Sequence, residues 1–496
     1  SNCEIIISPL KAETFSLIFC CRPTPVAMVI IIITIPKIIA IMAILIIGVE
    51  AVLLYFFAPI MRLAVKYSKF NPMAFRSLKS TFFLVFVIAI SCGNGKQTKT
   101  DDLKAGSNSA SLPQETNSED LENPHLILGA NRTETYLPLL SGKRIAIVGN
   151  PSSLILKDSK KPERYTHLVD SLLSLNQNVV KVFSPEHGFR GNADAGEAVR
   201  NGKDPKTGLD VISLYGNNKK PKPAQLEGID IIIFDIQDVG VRFYTYIATL
   251  NYVLEAAADS NIPVLVFDRP NPNGSYVDGP VMEKEHTSFL GMHAGVPLVH
   301  GMTIGEYAKM MATEGWLNTS KKINLQVIPM ENYEHTMPYS LPVRPSPNLP
   351  NDQAVLLYPS LGLCEGTALN AGRGTEMQFQ VIGSPFLPSN LYKLTYTPQP
   401  NFGSKNPKFN GVTCNGLDLR SIENPREVNL RFIIDAYTSY SQKDTFFDTK
   451  NFTAHAGTSK LQKQIQEGVS FEDIQLGWQE DLEKFKQIRQ KYLLYK

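Results

Sequence analysis

Ile229-Asp-Ile-Ile-Ile-Phe-Asp235 is the most apolar short run in the folded part of the chain, and it ends on a carboxylate. Branched apolar residues in near-continuous succession predict a strand buried on both faces, which is the habit of a parallel sheet. Reading outward, Tyr246 to Ala258 places Ile247, Leu250, Val253 and Leu254 on one face of a helix, and Ile262 to Phe267 is another buried strand. Upstream, Arg144-Ile-Ala-Ile-Val148 is a short apolar run ending in Gly149-Asn-Pro151. Thr166 to Leu175 spaces Leu168, Leu172 and Leu173 for a helix, and Val179–Phe183 and Val211–Leu214 read as two more strands. Strands alternating with helices of this length require right-handed crossovers, so the fold class is α/β with a doubly wound parallel sheet.

Sheets of this kind bind ligands beyond the carboxyl ends of their strands. The polar residues cluster there. After the second strand comes Ser184-Pro-Glu-His-Gly-Phe-Arg-Gly191; after Phe234 comes Asp235-Ile-Gln-Asp-Val-Gly-Val-Arg-Phe-Tyr-Thr-Tyr246; after Phe267 comes Asp268-Arg-Pro-Asn-Pro-Asn-Gly274. The first strand is followed by Gly149-Asn-Pro-Ser-Ser-Leu154, which is not the G-x-G-x-x-G of a dinucleotide site. Gly366-Thr-Ala-Leu-Asn-Ala-Gly-Arg-Gly-Thr375 is glycine-rich but lacks a preceding strand and a Lys-Ser/Thr pair. A nucleotide-binding reading therefore rests on topology alone.

Glu186 with His187 pairs a carboxylate and an imidazole at the mouth of the sheet. Glu186 suits a general acid if its surroundings are apolar enough to keep it protonated; the plainer reading is a turn with an exposed glutamate. Asp235 and Asp238 stand just past the most buried strand, where one is expected to cap the following helix and the other to be free for a substrate. Arg242, Tyr244 and Tyr246 beside these carboxylates suit an anionic sugar. Asp268 and Asn271 add polar groups on the same crest, and Glu365 and Arg373 flank the glycine-rich segment. No His/Asp/Glu group has convincing metal spacing, His293 and His300 included, and no G-x-S-x-G offers a serine nucleophile. From Glu376 the texture changes to strand-like pieces (Met377–Ile382, Leu391–Tyr396) and helices (Pro425–Tyr440, Ser459–Gln466, Phe471–Leu494). A first domain over 126–375 is thus followed by a smaller α+β domain over 376–496.

Charge excludes one large class. The chain holds 49 basic and 47 acidic side chains, and the first 91 residues hold eight and three of them, leaving 41 against 44. A mildly acidic body is unsuited to nucleic acid. The six cysteines include no C-x-x-C pair, so neither a zinc ribbon nor a disulfide scaffold is expected. Two features compete in the leader. Val26–Ile60 is long enough for a membrane helix, with Arg62, Lys66 and Lys69 behind it. Met73, Arg76 and Lys79, the apolar run Thr81–Ile90 and Ser91-Cys92-Gly93 together form a signal peptide over 73–91. Ala89-Ile-Ser-Cys92 matches the lipobox pattern loosely. The expectation is translation from Met73, residues 1–72 being an upstream extension, and lipidation of Cys92. The polar stretch over 92–125 is too hydrophilic to build a core and reads as a tether. These features place the protein in a bacterial cell envelope as a lipid-anchored lipoprotein, periplasmic or surface-exposed.

Taken together, the crest motifs with Pro345-Ser-Pro-Asn-Leu-Pro350, Cys364-Glu-Gly-Thr367 and Gly372-Arg-Gly-Thr375 resemble the NamZ/YbbC-like exo-β-N-acetylmuramidase family, in order and from about Leu128 to the C-terminus. The resemblance implies a Rossmann-like domain, a smaller second domain and an active site in the cleft between them. It implies a cofactor-free glycoside hydrolase that releases terminal N-acetylmuramic acid (MurNAc) from the non-reducing end of MurNAc–GlcNAc fragments of peptidoglycan, with Glu186 as the acid. Cys364 departs from the aromatic residue more usual before Glu-Gly-Thr. Glycoside cleavage needs a second carboxylate (Asp235, Asp238 or Glu365) or help from the substrate's acetamido group. The lactyl carboxylate of MurNAc calls for an arginine, and Arg190, Arg242 and Arg373 are available. Two other readings stand beside this one: a non-catalytic peptidoglycan-binding lipoprotein, and a nucleotide-sugar or NAD-dependent enzyme. No protein partner is expected.

Overall fold

The computed structural model describes residues 125–157, 163–190, 201–423 and 426–496, together with the backbone of three leader strands. Those strands, Ser16–Cys20, Met28–Thr34 and Ala40–Ile46, pair antiparallel in that order, so the apolar stretch considered for a membrane helix is extended over these residues. The apolar run before Cys92, Cys92 itself and the tether up to residue 124 lie outside the described residues. Among the described residues no helix is long and apolar enough to cross a membrane.

Residues 118–496 form one compact unit. Its centre is a seven-stranded sheet of β1 (Ile145–Gly149), β2 (Val179–Ser184), β3 (Gly202–Lys203), β4 (Asp210–Ser213), β5 (Ile231–Asp235), β6 (Val264–Phe267) and β7 (Leu325–Ile328). The spatial order is β7-β6-β5-β1-β2-β4-β3, parallel throughout except for the short edge strand β3. The chain leaves β1 toward one edge, then returns to start at β5 and proceeds toward the other. That reversal, between β1 and β5, is the Rossmann-like arrangement, and it opens a crevice at their carboxyl ends.

Alternate residues of each strand face opposite sides. Ala146, Val148, Ile232, Phe234, Val264 and Val266 join one core, and Ile145, Ile147, Ile231, Ile233, Leu265 and Phe267 the other. Helices α3 (Tyr246–Asp259) and α4 (Ile304–Thr313) cover the first face. Helices α1 (Thr133–Leu140) and α2 (Leu168–Ser174) cover the second. The helix expected over Thr166–Leu175 loses its start to a hairpin, because Tyr165–His167 pairs with Leu154–Leu156.

After α5 (Asp352–Leu361) the chain builds a three-stranded antiparallel sheet, with Cys414–Asp418 between Val381–Ser384 and Leu394–Tyr396. Around it lie α6 (Arg431–Ser439), α7 (Thr449–Ala456), α8 (Lys460–Gln466), α9 (Phe471–Leu476) and α10 (Gln479–Arg489). Three expectations need correction. The strand expected from Met377 begins at Val381, the helix expected from Pro425 begins at Arg431, and the helix expected over Phe471–Leu494 is two helices. Gly477, a poor helix residue, stands at that last break beside the buried Trp478.

Candidate active site

Glu186 stands on the turn that follows β2. The turn is tight: Gly188 N–H donates to Pro185 O at 3.2 Å, and His187 adopts φ of 72°, a left-handed conformation uncommon outside glycine. The His187 ring is buried in the wall while Glu186 stays half-buried at the crevice. Thr245, at the start of α3, donates its hydroxyl to Glu186 Oε2 at 2.8 Å. Tyr215, just past β4, is half-buried and hydrogen-bonded to the same carboxylate; burial, that negative charge and the bond all make its phenol harder to ionise.

The second carboxylate facing this space is Glu365, on the turn after α5. Arg373 Nη1 bonds its Oε1 at 2.9 Å. Burial opposes ionisation here, but Arg373 and Lys408 together hold the carboxyl below the usual carboxylate range. Lys408 also fixes the turn itself, donating to the carbonyls of Cys364 (2.9 Å), Glu365 (3.0 Å) and Thr367 (2.7 Å). Gly366 is required at this point because a Cβ there would run into the backbone of Phe452 in α7. Tyr358 and Arg373 each feel the charges of both Glu186 and Glu365, so the two glutamates line one site.

Other residues expected at the site have structural work instead. Asp235 is fully buried and clasped by Arg269 through two bonds, Nε to Oδ1 at 2.7 Å and Nη2 to Oδ2 at 2.9 Å. Asp268 accepts from Gly305 N (2.8 Å), Thr303 Oγ1 (2.8 Å) and Tyr495 Oη (2.6 Å), so it anchors the start of α4 rather than a ligand. Asn271 is buried, bonding Met302 O at 2.9 Å and Asn273 N at 2.8 Å. Gly240 packs so closely on Asn271 that any Cβ would collide with its amide.

Two of the three candidate arginines are likewise committed. Arg190 is shared between Asp170 (3.0 Å) and Asp204 (2.8 Å). Arg242 is 1% exposed, and its guanidinium donates to four carbonyls: Pro280 (2.7 Å), Val296 (2.8 Å), His455 (3.0 Å) and Ala456 (2.7 Å). The last two belong to the C-terminal end of α7, where a cation also complements the helix dipole. Tyr244 and Tyr246 are buried with their hydroxyls on Pro345 O, at 2.6 and 3.3 Å.

Neither Asp235 nor Asp238 caps α3; Thr245 occupies that position. Asp238 turns back on Gly240 N at 2.7 Å, and burial pushes its carboxyl up to about 7. His300 accepts from Met302 N at Nδ1 (3.2 Å), which leaves the proton on Nε2, 3.7 Å from Asp238 Oδ2. Burial lowers His300 to about 3, so the ring is neutral.

Sequence reasoning missed Thr245, Tyr215, Tyr358 and Lys408. Tyr215 could have been found, since it follows a strand on the binding crest. Thr245 was hidden between two tyrosines, and Lys408 lies far in sequence from the turn it holds.

Comparison with known proteins identifies the family. Residues 145–353 match the N-terminal domain model of the exo-β-N-acetylmuramidase NamZ, and residues 356–495 match its C-terminal domain model. The chain is 38% identical over 382 residues to the peptidoglycan β-N-acetylmuramidase NamZ of Bacillus subtilis strain 168, covering 73% of this chain and 89% of that protein. Two solved DUF1343 family proteins from Bacteroides fragilis NCTC 9343 share the fold. One is 42% identical with a TM-score of 0.68, the other 27% with 0.65; each comparison covers 75% of this chain and 99% of the other. On the strength of both matched domains and the full-length relative, the chain belongs to the NamZ exo-β-N-acetylmuramidase family.

Proposed function

We propose that the chain is a glycoside hydrolase that removes terminal MurNAc from the non-reducing end of peptidoglycan fragments, with Glu186 as general acid. The observation that carries this reading is that a half-buried Glu186 and an Arg373-bound Glu365 act on the same two neighbours, Tyr358 and Arg373. Glycosidic cleavage needs two carboxyl groups in unlike states. Glu365 is kept ionised by its two cations, which suits stabilisation of an oxocarbenium-like centre or activation of water. Asp235 is locked to Arg269 and Asp238 is sealed, so Glu365 is the second carboxylate of this mechanism. In the acid step Glu186 gives its proton to the glycosidic oxygen, the bond from C1 breaks with its electrons going to that oxygen, and GlcNAc leaves as a neutral alcohol.

Arg373 is the arginine left for the lactyl carboxylate of MurNAc. Arg190 is shared between Asp170 and Asp204, and Arg242 is 1% exposed with its two terminal nitrogens on four carbonyls, whereas Arg373 stands part-exposed beside Glu365. The reading is tested by cofactor-free hydrolysis of MurNAc–GlcNAc and of a nitrophenyl MurNAc glycoside. Glu186→Gln should lose about 10²–10⁴ in rate on the disaccharide and much less on the nitrophenyl substrate, whose leaving group needs little protonation. A folded Glu186→Gln protein with near-parental turnover on the disaccharide refutes the assignment.

The envelope anchor is part of the same proposal, supported by the apolar run Thr81–Ile90 ahead of Ser91-Cys92. Expressed from Met73, the protein should be cleaved before Cys92 and take up labelled fatty acid. Equal labelling of Cys92→Ser, or retention of residues 73–91, defeats it.

A further inference from the structure

Thr245 occupies the N-cap position of α3, a helix of 14 residues, yet its side chain makes no capping hydrogen bond. Its backbone there is helical, with φ −71° and ψ 0°, rather than the extended conformation of a capping residue. A threonine at the N-cap ordinarily accepts from a backbone N–H of the first turn. Here the hydroxyl points across the crevice and donates to Glu186 Oε2 at 2.8 Å. Thr303 before α4, with extended backbone, both accepts from Glu306 N in a capping box and donates to Asp268 Oδ2 at 2.8 Å, whereas Thr245 only donates to its carboxyl partner.

The backbone around Thr245 is pinned from both sides. Arg242 is bolted to four carbonyls, and the Phe243 ring packs on His455 with 5.2 Å between centroids. Tyr244 and Tyr246 are held on Pro345 O. The branched side chain adds stiffness, because two heavy atoms on Cβ restrict χ1. The hydroxyl therefore arrives at Glu186 at a fixed place, from an element different from the one that carries the glutamate.

We propose that Thr245 is a positioning residue for Glu186, resting on the reading of Glu186 as the acid. Its O–H, donated to Oε2, fixes where the carboxyl group stands at the crevice.

Thr245→Val and Thr245→Ser, measured with Glu186→Gln alongside, test this. Valine keeps the shape and removes the hydroxyl. Thr245→Val should lower kcat on MurNAc–GlcNAc by roughly ten- to a hundredfold, the range for losing a hydrogen bond to a charged group, with KM changed by less than about twofold. The loss should shrink on nitrophenyl MurNAc. Thermal unfolding should stay near that of the parent, since no cap is lost, and Thr245→Ser should restore most of kcat. Unchanged kcat with a lowered Tm makes the hydroxyl a helix cap and overturns the proposal. So does an equal loss on both substrates accompanied by a raised KM, which marks a structural defect. If Glu186→Gln is inactive while Thr245→Val is fully active, this inference falls and the acid assignment stands; if Glu186→Gln is active, both fall.

Discussion

Asp235 and Arg269 meet face to face at the carboxyl end of the central strand, joined by two parallel hydrogen bonds of 2.7 and 2.9 Å and sealed from solvent. The same guanidinium reaches Leu154 O at 2.8 Å, tying β5 to the hairpin after β1. A carboxylate at the topological switch point thus serves the scaffold.

Removing one partner of this pair leaves a buried charge without compensation. Asp235→Ala should lower the unfolding free energy by about 3–5 kcal/mol, while joint replacement by apolar residues, Asp235→Leu with Arg269→Met, recovers much of the loss. Urea unfolding of the two single variants and the double variant measures this. Additive losses in the double variant show that the two side chains do not act as a pair.

Asp238 gives the protein a pH-dependent stability. Its folded-state carboxyl is raised to about 7 by burial, against an ordinary value of about 3.9. The folded chain therefore holds this proton more tightly than the unfolded chain does. The resulting stabilisation is complete below about pH 4 and is lost as pH rises through 7. Relative to Asp238→Asn, the parent should lose on the order of 4 kcal/mol across that window. Stability curves for the two proteins that run parallel from pH 4 to 8 contradict the assignment.

Arg373 should set the preference for MurNAc over GlcNAc glycosides, which lack the lactyl group. A charge-assisted hydrogen bond is worth about 1.5–3 kcal/mol, or roughly ten- to a hundredfold in rate. Because Arg373 also holds Glu365 at 2.9 Å, Arg373→Ala loses activity on both substrates. The informative quantity is the ratio of kcat/KM values, which should collapse toward unity; a preserved ratio places the reader of the lactyl group elsewhere.

Ile229–Asp235, Arg144–Val148 and Val179–Phe183 announced the parallel sheet because strands buried on both faces must be apolar throughout, a requirement local enough to read off the chain. The crest motifs were legible for the same reason: a chain that leaves a parallel strand emerges at the ligand-binding end. Glu186 was visible as a candidate on that basis, and Glu365 and Arg373 because they flank the glycine-rich segment. The strands Asp278–Val281 and Pro297–Val299 were not, since each is short and is held by its neighbour across a long excursion.

What the sequence by itself determined is which polar side chains stand on the crest; which of them are free to act was decided only by the tertiary structure. Arg242, Asp235 and Asp268 carry the same chemical groups as Arg373, Glu186 and Glu365, and nothing in their neighbours along the chain tells the two sets apart. The difference lies in partners brought from far away: the carbonyls of His455 and Ala456 for Arg242, Arg269 for Asp235, and Tyr495 for Asp268. A buried charge must find such partners or lose its charge, and the supply of partners is a property of the packed fold. Glu186, by contrast, stays half-buried and takes the Thr245 hydroxyl on Oε2.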